Sequence, residues 1–408
     1  MFDRSFQSRP HDSKRRILFI GYAESSHTHA WIDLLRDSSF AARLFALPTG
    51  LPPDDWEIET YITVPANKKL NPRHRKCLYP RRHLGNISRK VVSGISGKRW
   101  KIEQHWLAKI IRKWQPHIIH TLGLDSAAYF YFETRRRHRL QDIGRWVLQL
   151  RGGSDLELSR HDPERWPKIC EVLKSCDRLL SDNQQNLEYT RAAGVGEKQL
   201  PFIGPVPGTG GIDLEAFSKA GRCRTSSRRM VLLPKAYECT WSKVLPVYEA
   251  LRLAWEQIQP CEIWMLSMNP EARMWYLSLP ENIRRQCCPS DRLPRNDVLD
   301  LMSKARVMLA PSLVDGTPNS LFEAMASGAF PVVSPLETIA SIVQPERNVL
   351  FARNLYPEEI ATALARAMND DNLVDQASDE NFSLVRKLAD RSEVRKRILS
   401  FYEDVLRN

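Results

Sequence analysis

The chain has 408 residues, a formal net charge of +12, 42% hydrophobic and 26% charged residues. That length exceeds what one hydrophobic core normally serves, so two domains are expected, and the composition is that of a globular protein rather than a disordered or fibrous one. Eight cysteines without a CxxC pair argue against a disulfide scaffold or a zinc module, and no run approaches the roughly 20 apolar residues of a membrane span.

Residues 1–14 read as an untethered, disordered polar segment. They lack the apolar stretch of a signal peptide, so a cytoplasmic protein is expected. RRILFIGYA (15–23) then reads as a strand, and HTHAWIDLLRD follows with apolar residues at helical spacing. ARLFALP and IETYITV read as further strands. KIEQHWLAKIIRKW (101–114) is predicted helical, PHIIHTLG a strand, DSAAYFYFETRRRH a helix and RWVLQLRGG a strand entering a glycine turn. WPKICEVLKSCD, RLLSD and NQQNLEYTRAAG continue as helix, strand, helix, the last closed by Gly194.

Between Thr60 and Lys101 there is no Asp or Glu, while Lys and Arg occur twelve times through Lys101, beginning with Lys68 and Lys69. Such a block suits an anionic partner, and the apolar residues among the cations (Leu70, Leu84, Val91, Trp100) suit a membrane surface. The plainer reading is a solvated basic loop. No RRM, zinc-finger or helix-turn-helix pattern supports nucleic acid as a partner.

Pro201–Arg229 is rich in Gly, Pro and Ser and reads as the domain boundary. The expected organisation is an N-terminal domain over 15–205, a linker over 206–228, a C-terminal domain over 229–385 and a terminal helical segment over 386–408. Beyond the boundary the alternation restarts. RMVLLP, CEIWMLSM, RVMLAPS and FPVVS read as strands; KVLPVYEALRLAWEQIQ, NDVLDLMSKA, SLFEAMASG and PEEIATALARAMND read as helices. RSEVRKRILSFYEDVL is a long amphipathic helix at the end. Two runs of alternating strands and helices imply an α/β fold with two parallel sheets, whose ligands sit beyond the carboxyl ends of the strands. A cleft between two such domains is the natural site.

The segment SLVDGTPNSLFEAMASGAFPVVS (312–334) sits at such a strand end. It carries Gly316 in its turn and Asn319 and Ser320 at a helix start, where free N–H groups favour a phosphate. Two readings of Glu323 stand side by side. It is either the acidic member of a Ser320-x-x-Glu323 capping box or a carboxylate placed for two vicinal ribose hydroxyls.

DGTPNSLFEAMASGAFPVVS closely resembles the signature of the retaining GT-B glycosyltransferases of the GT4 type. ILFIGYAESSHTHAWIDLL, PHIIHTLG, QLRGGSDLEL, GGIDLEAF and LLPKAYECTWSKVLPVYEAL resemble that family's other landmarks in order. The resemblance implies two Rossmann-like domains and a C-terminal helix crossing back to the first. It implies that Glu323 holds the donor ribose and that Asp315 lies against the transferred sugar, where the family usually has Glu. Lys235 and Lys243 stand where the family neutralises the donor pyrophosphate, with Lys235 replacing the usual Arg. Fixed cations there favour departure of the nucleoside diphosphate and account for a reaction without a metal cofactor.

In the N-terminal half, Gly21 ends the first strand and would let a ligand approach the backbone; the alternative is a plain turn. His27 and His29 lie in the adjacent loop or helix start, and His27 is an acceptor-side candidate. Ser154 and Asp155 follow the Gly152-Gly153 turn, Asp155 as a catalytic or acceptor contact or as a helix cap. His120 is a candidate catalytic polar group, with a buried structural role as the alternative. Relatives often place a histidine two residues further on, and here that position is Leu122. No metal-ligand spacing is seen. The implied activity is transfer of a sugar from a nucleotide-sugar donor to a glycan or lipid-linked hydroxyl, with retention, in polysaccharide, lipopolysaccharide or glycolipid synthesis on the inner face of the membrane. A GT-B epimerase or phosphorylase and a non-catalytic sugar-nucleotide binding partner are the competing classes.

Overall fold

The computed structural model describes residues 14–63, 73–77, 101–152, 154–218 and 223–407. The chain divides into two compact units. One comprises residues up to 151, 155–203 and 395 onward; the other comprises 152–154 and 204–394. Most of the basic block and the polar N-terminal segment lie outside the described residues.

The first unit is built on a seven-stranded parallel sheet in the order β4-β3-β2-β1-β5-β6-β7. Its strands are β1 (Arg15–Gly21), β2 (Phe40–Ala46), β3 (Glu59–Ile62), β4 (Arg75–Cys77), β5 (Ile118–Leu122), β6 (Arg145–Leu150) and β7 (Arg178–Ser181). β1 pairs with β2 from Arg15↔Phe40 and with β5 from Ile17↔Ile118, so the chain reverses its winding direction between β1 and β5. In doubly wound sheets that reversal opens a crevice at the strands' carboxyl ends. β1, β5 and β6 are almost wholly buried, as expected of strands covered by helices on both faces.

The second unit holds a six-stranded parallel sheet in the order β10-β9-β8-β11-β12-β13. These are β8 (Met230–Leu233), β9 (Glu262–Met265), β10 (Cys287–Pro289), β11 (Ala305–Ala310), β12 (Phe330–Val333) and β13 (Leu350–Phe351). Alternate residues feed opposite layers: Val231, Leu233, Val307 and Leu309 join one core, and Leu232, Met308 and Ala310 the other. The winding reverses between β8 and β11, which places the loops after those two strands side by side.

Arg306 is fully buried inside β11. Its guanidinium donates to Ala367 O (2.9 Å) and Ser226 O (2.7 Å) and pairs with Asp371 at 2.7 Å, so the charge enters the core with each of its nitrogens hydrogen-bonded. The terminal helix, Arg391–Arg407, begins in the second unit and ends in the first. There Ile398, Phe401, Tyr402 and Val405 are buried, and Arg395 donates to Leu34 O at 2.9 Å.

Candidate functional site

In the second unit the loop after β11 is held from several directions. Leu313 N donates to Trp241 O (2.9 Å), Ser312 N to Ser334 Oγ (2.9 Å), and Thr338 Oγ1 to the Asp315 carbonyl (3.0 Å). Asp315 Oδ1 accepts from Gly316 N at 2.9 Å, so the Gly316 N–H serves the loop itself. Lys235, two residues past β8, reaches across the strand ends. Its ammonium donates to Ser312 Oγ at 2.9 Å and pairs with the Asp315 carboxylate. The two sequence candidates from different strands therefore meet directly.

Lys243 is fixed through its backbone. Its N–H donates to Asn354 Oδ1 (3.0 Å), while Asn354 Nδ2 donates back to Lys243 O (2.9 Å) and to Pro311 O (3.1 Å). The buried Asn354 thus ties Lys243 to the end of β11. Sequence reasoning missed it, because an isolated Asn before a helix reads as a turn residue. The Lys243 ammonium lies 3.4 Å from Glu238 Oε2.

The helix Asn319–Ser327 starts behind Pro318, which is its N-cap, and no side-chain cap bond forms. Ser320 therefore lies inside the first turn, and the Ser320/Glu323 capping box does not exist. Glu323 is 8% exposed, and its Oε1 lies 2.7 Å from Arg295 Nη2. Burial pushes the Glu323 carboxyl above its usual range and Arg295 pulls it back. Arg295 was not foreseen, since nothing local to it signals a partner 28 residues away. Asn319 Oδ1 accepts from Thr209 N (3.3 Å) and Thr209 Oγ1 (2.9 Å), which binds the helix start to the segment before Gly211. The helix closes at Gly328, whose φ of 77° requires glycine.

In the first unit Gly21 and Leu122 end neighbouring strands. A Cβ added at Gly21 would come within 3.2 Å of Leu122 Cβ, so the space freed by glycine is taken by that side chain. His27 is exposed; His29 Nε2 lies 2.5 Å from Ala23 O and its ring packs on Trp56.

The assignment of His120 as a catalytic group is corrected. It is fully buried, its Nδ1 is 2.7 Å from Tyr402 Oη, and Tyr402 in turn accepts from Trp31 Nε1 at 3.1 Å. Burial holds its pKa well below 6.5. A ring enclosed by Phe19, Trp31 and Tyr402 has no route to substrate.

Asp155 Oδ2 accepts from Arg151 N (2.7 Å) and Leu124 N (3.3 Å), joining the loops after β5 and β6. Burial raises its pKa to about 7, against those two donors. Burial likewise brings neighbouring Arg151 down to about 10. Gly153 and the Ser154 side chain lie outside the described residues.

A cavity of about 790 Å³ lies elsewhere in this unit, lined by Arg178, Lys198, Arg397, Phe401 and Asp404 among others. It sits at the amino end of β7, away from the strand ends that position the candidates above. Among the described residues no group of His, Cys, Asp or Glu could hold a metal ion, and no helix is long and apolar enough to cross a membrane.

In the second sheet Lys235 and Asp315 meet at the switch point between β8 and β11, where open parallel sheets bind their ligands. Residues 248–370 match the family described as Glycosyl transferases group 1. HepE of Anabaena, in complex with UDP-glucose, is similar over 95% of this chain and 99% of its own, at 12% identity and a TM-score of 0.69. Sucrose-phosphate synthase of Thermosynechococcus elongatus is similar over 96% and 99%, at 15% identity and 0.69. A putative UDP-N-acetylglucosamine 2-epimerase of Listeria monocytogenes is similar over 96% of each chain, at 14% and 0.58. No curated protein matches the chain in sequence. The family match lies within the second unit, and the two parallel sheets are those of the GT-B fold that these solved structures share.

Proposed function

We propose that the protein moves a sugar from a nucleotide-sugar donor to a hydroxyl acceptor with retention at the anomeric carbon. The observation carrying this reading is the Lys235–Asp315 pair at the β8/β11 switch point, with Lys243 tied to the end of β11 through Asn354 and Glu323 buried in the helix that follows the β11 loop. Lys235 and Lys243 would meet the diphosphate, Glu323 the ribose hydroxyls, and Asp315 the transferred sugar. The bond from the anomeric carbon to the phosphate oxygen breaks as the bond to the acceptor oxygen forms. The acceptor's proton passes to the leaving phosphate oxygen, so no protein nucleophile and no metal is called for. Cations fixed beside the diphosphate stabilise the charge that develops on it. The decisive experiment is mass spectrometry of the protein incubated with a panel of nucleotide sugars and a hydroxyl acceptor. A transferred hexose supports the reading; donor bound but never turned over favours a non-catalytic partner.

An epimerase is the second reading, favoured by the likeness to the Listeria protein. It predicts a changed sugar stereocentre in the donor without acceptor. The acceptor we infer is a surface glycan or lipid-linked saccharide at the inner membrane face, supported by the acid-free basic stretch between Thr60 and Lys101. Each basic residue near an anionic surface contributes about 1 kcal/mol. Co-sedimentation with anionic vesicles, weakened by salt and lost with neutral ones, is the expected outcome; none at low salt would leave a soluble acceptor.

A further inference from the structure

The helix Asn319–Ser327 buries an unusual residue among its apolar ones. Leu321, Phe322, Ala324 and Met325 are fully enclosed, and Glu323 lies between them. Its Oε1 is engaged by Arg295, while Oε2 has no partner among the described residues. Arg295 opens the helix Arg295–Lys304, and half of its side chain is exposed. The other elements packed on Glu323's helix are the helices Leu214–Ser218 and Asp371–Ala389 and strand β12. Among the described residues of all these elements, Arg295 is the charged group acting on Glu323.

A carboxylate oxygen can accept two hydrogen bonds; a protonated carboxyl loses acceptor capacity and presents a donor instead. A ribose offering two hydroxyls is therefore held by the charged form. Burial works against that form, and the guanidinium restores it. Resting on the reading of Glu323 as the ribose acceptor, we propose that Arg295 is a positioning residue for the donor. It fixes one oxygen of Glu323 and keeps the carboxylate charged in its buried setting, leaving the other oxygen for the sugar hydroxyls.

Calorimetry on the full chain with UDP-glucose and GDP-mannose tests this. Both probes are diphosphate diesters whose charge is constant from about pH 5.5 to about pH 8. The tighter probe is carried through wild type, Arg295→Gln, Arg295→Lys and Glu323→Gln. In Arg295→Gln the weakening at about pH 5.5 should exceed that at about pH 8 severalfold, because loss of the guanidinium raises the carboxyl pKa further. Arg295→Lys should restore the wild-type profile, and Glu323→Gln should bind weakly at either pH. An equal loss at both pH values in Arg295→Gln, or no loss, overturns the proposal. If Glu323→Gln binds like wild type, or neither probe binds wild type, the donor reading itself fails. Urea unfolding separates the two failures. If Arg295 holds Glu323 charged, destabilisation by Arg295→Gln grows with pH and disappears in the Glu323→Gln background.

Discussion

Lys235 and Asp315 form an ion pair across the ends of β8 and β11, so the cation that the proposed function assigns to the donor diphosphate and the carboxylate it assigns to the sugar neutralise each other. Without donor, the ammonium is committed to Asp315 and Ser312. A diphosphate must compete for it. Asp315→Asn should therefore tighten nucleoside-diphosphate binding by about fivefold, the equivalent of about 1 kcal/mol for a partly exposed pair, while transfer falls. Lys235→Met should weaken the same binding. Calorimetry with UDP alongside a turnover assay checks both, and unchanged or weaker UDP binding in Asp315→Asn would show that the pair does not restrain Lys235.

Glu323→Gln separates binding from stability. Loss of charge-assisted hydrogen bonds to ribose should cost about 1.5–3 kcal/mol, or about ten- to a hundredfold in donor affinity. A helix cap would instead cost about 1 kcal/mol of stability and leave donor affinity intact. Since Pro318 occupies the cap and no capping box forms, the first outcome is expected. Titration calorimetry with a nucleotide sugar, paired with thermal unfolding, reads both quantities.

The fold was legible because its strands are short apolar runs and most helices carry an unbroken apolar stripe. RWVLQL, RVMLA and FPVV each became a strand, and KIEQHWLAKIIRKW became the helix Lys101–Trp114. The helix Asp371–Ala389 was not read. Its stripe is sparse and passes through Asn381, a polar residue that is buried only because Asn348 satisfies it at 2.9 Å in both directions. Strands β10 and β13 were also missed, being three and two residues long. In the site, Asp315, Glu323, Lys235 and Lys243 stood in recognisable patterns. Arg295 and Asn354 did not, because their roles arise from distant segments meeting in space.

His120 contributes an acid-side loss of stability. Its folded pKa lies well below the unfolded value of about 6.5. Below about pH 6.5 the unfolded chain binds the proton that the folded chain refuses, so stability falls as pH drops toward the folded pKa, by up to about 1.4 kcal/mol per pH unit. His120→Phe should flatten that slope in urea unfolding at stepped pH. A slope unchanged in the variant would assign acid sensitivity to other groups.

Asp155 has the opposite sign. Its folded pKa, about 7, lies above the usual carboxylate value of 3.8, so its contribution is fully present below about pH 3.8 and declines as pH rises to about 7. Asp155→Asn keeps an oxygen for the Arg151 and Leu124 N–H groups without the charge. Relative to wild type, the variant should gain stability as pH rises from about 3.8 to about 7 and keep that gain above it, with turnover little changed. A large fall in kcat with no stability gain would make Asp155 a catalytic residue rather than a clamp between two loops.

Gly21 poses a packing question that a pair of substitutions decides. An alanine Cβ there would lie 3.2 Å from Leu122 Cβ and 3.3 Å from Leu122 Cδ1, tighter than ordinary contact. Both strands are central in the sheet and buried, so neither backbone can retreat freely. Gly21→Ala should cost about 1–3 kcal/mol through overpacking. Leu122→Ala removes Cγ and Cδ1, and in that background the same substitution should cost less by about 0.5 kcal/mol or more, the coupling expected of residues in contact. Denaturant midpoints of wild type, the two single variants and the double variant give that coupling. If Gly21 is instead reserved for a ligand, Gly21→Ala should leave stability unchanged in both backgrounds and appear only as weakened donor or acceptor binding.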